Sequence, residues 1–521
     1  MNATLTSYLG GRWVAGTGEG ADVADAVTGE HLHMVSSEGL DLSGAVSYAR
    51  QVGGPGLSSL TFPQRAALVK ATAAALMERK QELYDLSAQA GATRSDAKVD
   101  VDGGFGTAMV YAGLGKRGLP DGTVIVEDDP IQLGKEGLFL GQHVLTSRRG
   151  LALQINAFNF PVWGMLEKLA PALLAGVPTI VKPATPTAYI AQHAVRIIVD
   201  AEVLPEGALQ IVCGSIPGLC DLLDGQDSVG FTGSAETAAK LRSDPAVTQR
   251  SVRFNAEADS LNSSILGPDA SPGTPEFDLF VDALITEMTV KAGQKCTAIR
   301  RAFVPTEHLE DVTDAVSAKL SGVVVGAPGA EGVTMGALVG LDQREDVRAK
   351  VAELAAGTTT IFGDPQTVEV VGADAERGAF ISPVLLRSDD SSVAAVHAVE
   401  AFGPVSTVMP YESAAQVVEL VARGQGSLAA SVVSYDDDFT RHVVQNIASH
   451  HGRVLALDRD SAPESTGHGT PMPQLVHGGP GRAGGGQEEA GLHAVFDHMQ
   501  RTAVQGSKAR LVSVTGSGQA R

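Results

Sequence analysis

The sequence predicts an α/β protein built on doubly wound parallel sheets and divided into at least two domains. The chain has 521 residues, which is more than one hydrophobic core normally supports. From Gly150 onward, short apolar runs alternate with helical patterns, and this alternation is typical of parallel sheets. The composition, 44% hydrophobic but only 5% aromatic, indicates an ordered chain and not a disordered one.

The helices and strands can be predicted in order along the chain. The first 130 residues open on Tyr8 to Val14 and then carry two helical stretches, one of them from Arg65 to Lys80 with a basic end that suits the helix dipole. Four buried strands follow, with Thr187 to Ala201 as a crossover helix. The strands are Leu151 to Ile155, Pro178 to Lys182, Ala208 to Val212 and Ser228 to Thr232.

A second alternating region runs from about Asp259 to Arg453. The stretch from Ser461 to Gly486, rich in Gly and Pro, indicates a linker or an active-site loop.

Charge and cysteine content limit the partners. The net charge of −21 argues against nucleic acid and against an anionic membrane, because both require a basic surface. Three cysteines cannot form a disulfide framework, and Met1 to Thr4 shows no secretory signal. No apolar run approaches the roughly 18 residues that span a bilayer. We expect a cytoplasmic protein that holds any anionic ligand in a local pocket.

One cysteine, Cys296, lies in Gly293-Gln294-Lys295-Cys296-Thr297, where small neighbours leave its sulfur accessible to a carbonyl carbon. Taken alone, such a residue is more often an inert buried thiol. Glu257 and Asn159, both earlier in the chain, would supply a carboxylate base and an amide donor.

In this order and with these neighbours, the three residues resemble the active site of the aldehyde dehydrogenase family. The resemblance implies a Rossmann-like cofactor domain, an α/β catalytic domain and an oligomerisation arm, and hence a homodimer or larger assembly. The expected ranges are 1–134 and 150–257 for the cofactor-binding domain, 258–486 for the catalytic domain, and 135–149 with 487–521 for the arm and C-terminal segment. Further matching motifs are Asn159-Phe160-Pro161, Val181-Lys182-Pro183, Phe231-Thr232-Gly233-Ser234 and Glu400-Ala401-Phe402-Gly403-Pro404.

The resemblance also implies the chemistry. Cys296 would add to an aldehyde, and the Asn159 amide with the Cys296 N–H would stabilise the oxyanion. Glu257 would then deprotonate the water that hydrolyses the thioester. A dehydrogenase that passes its thioester to coenzyme A needs no such base, so Glu257 favours a free acid as product.

A nicotinamide cofactor is expected at Ser228 to Ala235, where a strand ends in Gly and Ser234 can cap a helix. Two G-x-G-x-x-G runs, Gly113 to Gly118 and Gly479 to Gly484, are weaker candidates because neither follows a predicted strand. In the family pattern Phe231, Thr232, Gly233 and Ser234 contact the cofactor, Lys182 the adenosine ribose, and Glu400, beside Phe402, the nicotinamide ribose.

NADP is the expected cofactor, with NAD as the alternative. Thr185 stands where relatives that prefer NAD often carry Glu, and a hydroxyl can donate to a 2′-phosphate that a carboxylate would repel. No metal is expected, because His450-His451 and His493 with His498 lack zinc-site spacing.

Two departures from the common family pattern are informative. Ala258-Asp259-Ser260-Leu261-Asn262 follows the base, and the late loop, Leu475 to Gly486, replaces the usual P-F-G-G motif. Both resemble a branch that includes the dehydrogenase half of the bifunctional ring-cleavage enzyme of phenylacetate degradation and a CoA-semialdehyde dehydrogenase of aerobic benzoate degradation. We expect a stand-alone enzyme without the hydratase domain, acting on a CoA-linked semialdehyde from the degradation of aromatic compounds.

Binding of coenzyme A would require basic groups, for which Lys116-Arg117 and Arg148-Arg149 are candidates. Small residues of the late loop would leave room for an acyl-pantetheine arm, although glycines there are equally typical of turns.

Three alternatives stay open. The substrate is a free semialdehyde or simple aldehyde; or Cys296 works with a histidine in a hydrolase or thiolase, which would turn over without nicotinamide; or the chain is a catalytically silent scaffold, which would reduce no cofactor.

Overall fold

The structure, a computed structural model, describes residues 4–486 and 490–515. Strands and helices alternate along most of the chain. The strands are β1 Thr6–Leu9, β2 Arg12–Ala15, β3 Ala21–Ala24, β4 His31–Val35, β5 Ile125–Gln132, β6 Leu140–Ser147, β7 Ala152–Ile155, β8 Thr179–Lys182, β9 Leu209–Ile211, β10 Ser228–Thr232, β11 Arg253–Glu257, β12 Asn262–Leu266, β13 Ile299–Pro305, β14 Thr359–Phe362, β15 Val384–Arg387, β16 Val405–Tyr411, β17 Ser427–Val433, β18 His451–Leu457 and β19 Met499–Gly506. The helices are α1 Leu42–Tyr48, α2 Gly54–Ser58, α3 Phe62–Glu78, α4 Lys80–Gln89, α5 Arg94–Gly118, α6 Trp163–Ala175, α7 Ala188–Asp200, α8 Ala235–Arg242, α9 Pro245–Thr248, α10 Pro275–Thr289, α11 Leu309–Leu320, α12 Leu341–Ala355, α13 Ala414–Ala422, α14 Asp437–Ile447, α15 Gly491–Asp497 and α16 Lys508–Thr515.

The first large sheet has seven strands in the order β11-β10-β7-β8-β9-β1-β2. Strands β7 to β11 run parallel, and β1 joins β9 antiparallel. The four predicted strands are β7 to β10, and the predicted crossover helix is α7, so these predictions are confirmed. The strand order reverses between β7 and β10, and such a switch point forms a crevice for ligands at the carboxyl ends of the strands.

The second large sheet also has seven strands, in the order β14-β15-β16-β13-β12-β17-β18. Only its edge strand β14 runs antiparallel to its neighbour. Its strands lie between residues 262 and 457, which matches the second alternating region predicted from the sequence.

A smaller antiparallel sheet has the order β19-β6-β5. It pairs the predicted arm with the C-terminal segment, as expected, and it also includes β5, which lies within the range predicted for the cofactor domain. Residues 487–489 and 516–521 of the predicted C-terminal segment lie outside the described residues. The domain ranges and the role of this sheet in assembly stay predictions.

The helix predicted from Arg65 to Lys80 begins earlier, because Thr61 and Gln64 form a capping box ahead of it. This helix is α3, which ends at Glu78. The basic residues expected at its end, Arg79 and Lys80, lie instead at the junction with α4.

Arg65 of α3 is fully buried and donates to the carbonyl oxygens of Leu57, Ser58 and Leu174.

Apolar clusters cover both faces of the large sheets. One cluster packs the first sheet against α3, α5, α6 and α7, and another covers its opposite face. Two further clusters cover the second sheet in the same way. This packing on both faces holds β7, β10 and β11, and therefore the carboxyl ends of these strands, in fixed positions.

Candidate active site

Cys296 lies in a tight turn that leads into β13. Lys291 and Ala292 have φ angles of 54° and 50°, in the left-handed region that residues other than glycine rarely adopt. Gly293 follows at φ 68°, and a Cβ there would overlap the Gly403 carbonyl oxygen. The turn that carries the thiol is therefore strained and needs glycine at one position.

A buried arginine joins this turn to the neighbouring segment. Arg300 donates to the carbonyl oxygens of Gly293 and Lys295 on one side, at 2.9 and 3.3 Å. On the other side it donates to those of Gly403 and Val405, at 2.7 and 3.4 Å. These four acceptors offset the cost of burying the guanidinium group.

Asn159 follows β7 and reaches the same turn. Its Nδ2 donates to the Gln294 carbonyl oxygen over 3.0 Å. The Gln294 side chain donates in turn to the Lys291 carbonyl oxygen and accepts from the Val339 N–H. An amide nitrogen carries two N–H donors, so one can hold Asn159 in place while the second serves a ligand in the cavity.

Glu257 ends β11, beside Thr232 on β10. Its carbonyl oxygen accepts from the Gly233 N–H at 3.1 Å, and the next residue, Ala258, donates to the Ala483 carbonyl oxygen at 3.0 Å. Backbone hydrogen bonds on both sides thus fix the point from which the carboxylate projects.

The three side chains predicted to be catalytic line one cavity of about 750 Å³. The structure therefore brings Cys296, Glu257 and Asn159 together, although they come from three separate elements. Their individual roles in catalysis stay a prediction. Other residues of the lining include Val99, Phe160, Trp163, Arg453 and Pro471.

A second cavity of about 490 Å³ adjoins the first at Glu257, which lines both. Thr232 and Trp163 also line both cavities. The second cavity extends to Asn255 and His477, whereas Cys296 lines the first.

Charged groups that sequence reasoning missed border both cavities. Glu167 and Lys168 of α6 form an ion pair at 3.0 Å. Burial raises the pKa of Glu167, Lys168 opposes this shift, and the charge of Glu257 adds to it. Burial, assisted by Arg453, lowers the pKa of His477 to about 4. The sequence signal that could have identified this ion pair is the adjacent Glu167 and Lys168 inside the otherwise apolar helix α6.

The predicted cofactor residues of the first sheet gather at its switch point. Lys182 ends β8, while Phe231 and Thr232 end β10, and these two strands flank β7. Gly233 makes the turn after β10. Ser234 caps α8 by accepting a backbone N–H of its first turn.

Thr185 begins a 3-10 turn directly after β8, three residues beyond Lys182. Both side chains are partly exposed at the edge of the sheet. Burial lowers the pKa of Lys182. An ammonium and a hydroxyl therefore lie at the carboxyl end of β8, and their contact with an adenosine ribose stays a prediction.

Glu400 lies behind the nucleophile turn. Its Oε2 accepts from the Ser260 N–H at 3.0 Å, and its Oε1 lies 3.7 Å from Arg300 Nε. Burial raises the pKa of Glu400 to about 7. Phe402 packs edge-on against the Phe158 ring, with centroids 5.8 Å apart. The carboxylate is thus turned into the protein, while Lys182 and Ser234 stand at the strand edge.

The late loop does not provide the space that its glycines predicted. A Cβ at Gly484 would overlap the Ala256 carbonyl oxygen, and one at Gly486 would overlap the Asn255 side chain. Gly481 is similarly closed by the Gln425 carbonyl oxygen. These glycines allow backbone to approach backbone, so the part of the loop from Gly481 to Gly486 supports the strand that carries Glu257 and leaves no space for an acyl arm.

Of the residues proposed to hold coenzyme A phosphates, Arg148 is unsuited. It is buried and donates to the carbonyl oxygens of Gly225, Gln226 and Asp227. A guanidinium group committed to backbone carbonyls is not available to a phosphate. Lys116, Arg117 and Arg149 are exposed. The Gly113 to Gly118 run is the end of helix α5, so it does not follow a strand, as the sequence predicted.

Within residues 4–486 and 490–515, no helix combines the length and the apolar character needed to cross a membrane. Within the same ranges, no three His, Cys, Asp or Glu side chains are grouped so as to hold a metal ion. His451 and His498 are buried, and burial lowers the pKa of each to about 4.

A thiol, a carboxylate and an amide around one cavity, beside a strand edge suited to a dinucleotide, define the class: an oxidoreductase that acts on carbonyl groups. The chain belongs to the aldehyde dehydrogenase family, whose model matches residues 13–504. A 3,4-dehydroadipyl-CoA semialdehyde dehydrogenase of Aromatoleum evansii is 49% identical over 478 residues, covering 91% of this chain and 93% of the relative.

The fold is also that of solved aldehyde dehydrogenases. An apo variant of betaine aldehyde dehydrogenase from Staphylococcus aureus matches with a TM-score of 0.84 at 23% identity, over 96% of this chain and 95% of that chain. The same enzyme in complex with NAD+ matches with a TM-score of 0.83 at 23% identity, over 97% and 95%.

Proposed function

We propose that the protein oxidises an aldehyde to the carboxylic acid with NADP, and that the substrate is a semialdehyde still linked to coenzyme A. The common cavity of Cys296, Glu257 and Asn159 carries the proposal. The similarity to the CoA-semialdehyde dehydrogenase of A. evansii supports the substrate class and its origin in the degradation of aromatic compounds.

In the first half-reaction, the Cys296 sulfur attacks the aldehyde carbon, which forms a C–S bond and an oxyanion. The second N–H of Asn159 and the Cys296 N–H donate to that oxyanion, and each such donor lowers the barrier by about 2.7–4 kcal/mol. NADP, when bound, would supply the acceptor for the hydride that the substrate carbon loses as the C=O bond of the thioester re-forms.

In the second half-reaction, Glu257 takes a proton from a water molecule whose oxygen attacks the thioester carbon. The new C–O bond forms, the C–S bond breaks, and Cys296 leaves as the thiolate. The acid is released, and the proton held by Glu257 must pass to solvent before the next cycle.

The carboxyl edge of the first sheet fits the cofactor. The start of α8, capped by Ser234, presents backbone N–H groups that favour a phosphate. We assign Lys182 and Thr185, at and just after the end of β8, to the ribose that carries the 2′-phosphate, and Thr185 is not an anion that would repel it. These features support NADP over NAD.

Apolar side chains in and next to the lining of the first cavity support the binding of an acyl-pantetheine arm. Val99 lines the cavity and is partly exposed. Met472, Leu475 and Val476 are exposed in the segment that follows the lining residue Pro471. We propose that the acyl-pantetheine arm lies along these apolar side chains and not beside the glycines of the late loop.

The substrate is tested by following NADPH formation at saturating NADP with a CoA-linked semialdehyde of about six to eight acyl carbons, the free semialdehyde acid and hexanal. We expect the highest kcat/KM with the CoA thioester, because binding energy from the remote arm is used at the reacting carbon. Equal or better turnover of the free aldehydes would remove coenzyme A from the proposal and leave the dehydrogenase activity.

The same assay separates the other two classes. A cysteine hydrolase would release acid from a thioester without nicotinamide, and a silent scaffold would form no NADPH with any aldehyde.

We further propose that the sheet of β5, β6 and β19 joins the chain into a homodimer or larger assembly, which native mass spectrometry tests. Its cytoplasmic location stays a prediction.

A further inference from the structure

Gln154 and Asn156 are buried amides whose polar atoms lack protein partners. Their exposed fractions are 1% and 4%. Among the described residues, neither the nitrogen nor the oxygen of either amide has a hydrogen-bond partner, and the Thr232 hydroxyl has none either. An unmade hydrogen bond at a buried polar group is costly, and folded proteins normally satisfy such groups with ordered water.

These three side chains form a polar seam, defined here as Gln154, Asn156 and Thr232. Alternation along β7 directs Gln154 and Asn156 to the same face of the sheet. Asn156 lines the first cavity together with residues of α6, and Thr232 lines both cavities. Gln154 pairs in register with Gly230, which lines the second cavity. Asn156 and Thr232 therefore lie where the two cavities meet beside Glu257, and Gln154, which lines neither cavity, lies next to them on the same face.

We infer that Asn156 and Gln154 are positioning residues that hold the water used in deacylation. Amides and hydroxyls both donate and accept, which suits water better than it suits an anion. Several ionisable groups line the two cavities: Glu257 on β11, the Glu167–Lys168 pair on α6, Lys295 and Arg453 at the first cavity, and His477 at the second. The inference rests on the proposed function, because it concerns the second half-reaction.

The position of the polar seam explains how water reaches the thioester while the acyl chain fills the first cavity. During deacylation the acyl chain is bonded to Cys296 and fills the first cavity. A water held by Asn156 and Thr232 stands near Glu257, and the second cavity offers it a separate route. Its oxygen bonds to the thioester carbon, its proton passes to Glu257, and the C–S bond breaks.

Asn156→Leu and Gln154→Leu test the inference, because leucine has a similar size and cannot bond water. In rapid mixing with NADP and any aldehyde that the wild type oxidises, the burst of NADPH should keep its rate. The steady rate after the burst should fall about tenfold, the equivalent of one lost hydrogen bond. Intact mass spectrometry should show acyl groups accumulating on the protein, and Asn156→Ser, which restores a donor and acceptor, should recover part of the rate.

Thr179→Val is the matched control. Thr179 is fully buried, and its hydroxyl likewise lacks a partner among the described residues, but it begins β8 and pairs in register with Ala152, so it lies away from the carboxyl ends of the strands where Glu257 is found. The ratio of steady rate to burst should be unchanged in this variant. Circular dichroism checks that each variant folds, and Gln154→Leu and Asn156→Ser keep the test available if Asn156→Leu does not.

A normal ratio in folded Asn156→Leu would overturn the inference. So would a raised KM for NADP with a normal ratio, because it would mean that Asn156 contacts the cofactor. A wild type that forms no NADPH with any aldehyde would instead overturn the proposed function, and this inference with it.

Discussion

Lys295 Nζ lies 2.7 Å from Glu287 Oε2, and the two side chains are only 8% and 4% exposed. The pair ties the residue before Cys296 to helix α10. It also meets Gly469, where a Cβ would lie 2.7 Å from the Glu287 carboxylate and 2.9 Å from Lys295 Nζ. Because Gly469 lines the first cavity, the ion pair connects the nucleophile turn to the cavity wall.

Breaking this ion pair should destabilise the protein. Glu287→Gln leaves the Lys295 ammonium buried without its counter-charge, a change that costs about 3–5 kcal/mol. We expect a lower midpoint of urea unfolding and a slower enzyme. The control is Glu236→Gln, which breaks an exposed pair with Lys240 and should shift the midpoint little. Equal shifts in the two variants would contradict the role given to burial.

The catalytic assignments predict different failures for two variants. Cys296→Ala should abolish turnover, because no thiohemiacetal forms. Glu257→Gln should still release a burst of NADPH and then stall as the acyl-enzyme, since only the second half-reaction needs a base. Stopped-flow absorbance separates the two phases. A normal steady rate in Glu257→Gln would show that another group is the base.

Glu400 should make stability depend on pH. Its pKa rises from an ordinary 4.5 to about 7 in the fold, so folding favours the protonated form. That contribution is fully present below about pH 4.5 and is lost as the pH rises through about 7. Glu400→Gln stays neutral, so wild type should lose stability relative to it between about pH 5 and pH 8. Urea unfolding at both pH values measures this, and a constant difference would refute it.

The cofactor preference should shift with one residue. Thr185→Glu places a carboxylate three residues after Lys182, where it can accept from a ribose 2′-hydroxyl and repel a 2′-phosphate. We expect kcat/KM to fall with NADP and to rise relative to it with NAD. Thr185→Gln, which has the shape of Glu without its charge, is the control. If wild type already uses NAD as efficiently as NADP, the role given to Thr185 is wrong.

The late loop should be sensitive to a single methyl group. Gly484→Ala drives a Cβ into the Ala256 carbonyl oxygen and so displaces the strand that carries Glu257. Overpacking of this kind costs about 1–3 kcal/mol, and activity should fall with it. Gly485→Ala is matched, because it also has positive φ but its nearest neighbour would lie 3.7 Å away. Comparable losses of activity in both would show that only backbone strain matters.

Strand ends were predictable from the sequence because their signals are local. The run Ser228 to Thr232 is apolar and is followed by Gly233 and Ser234, which turn the chain and cap a helix. Lys182 is the last residue of strand β8, and Thr185 follows it by three positions, so both lie at the carboxyl edge of the first sheet. The grouping of Cys296 with Glu257 followed from family resemblance, and no periodicity in the sequence would have predicted it.

Other features depend on which segments meet in space. The glycines of the late loop look like open space in the sequence, yet the backbone at Ala256 and Gln425 occupies that space. Arg148 looks like a phosphate ligand until the carbonyl oxygens near Gln226 are seen to surround it. The water-binding role inferred for Gln154 was invisible, because a polar residue in a buried strand gives no sign of its partners.

Arg300 couples the position of the thiol to the segment that follows Glu400. Its guanidinium group donates to the nucleophile turn at Gly293 and Lys295 and to the neighbouring segment at Gly403 and Val405. A shift of one segment therefore strains hydrogen bonds to the other. Substitutions near Gly403 should for this reason also change the reactivity of Cys296, although they lie outside the cavity that the thiol lines.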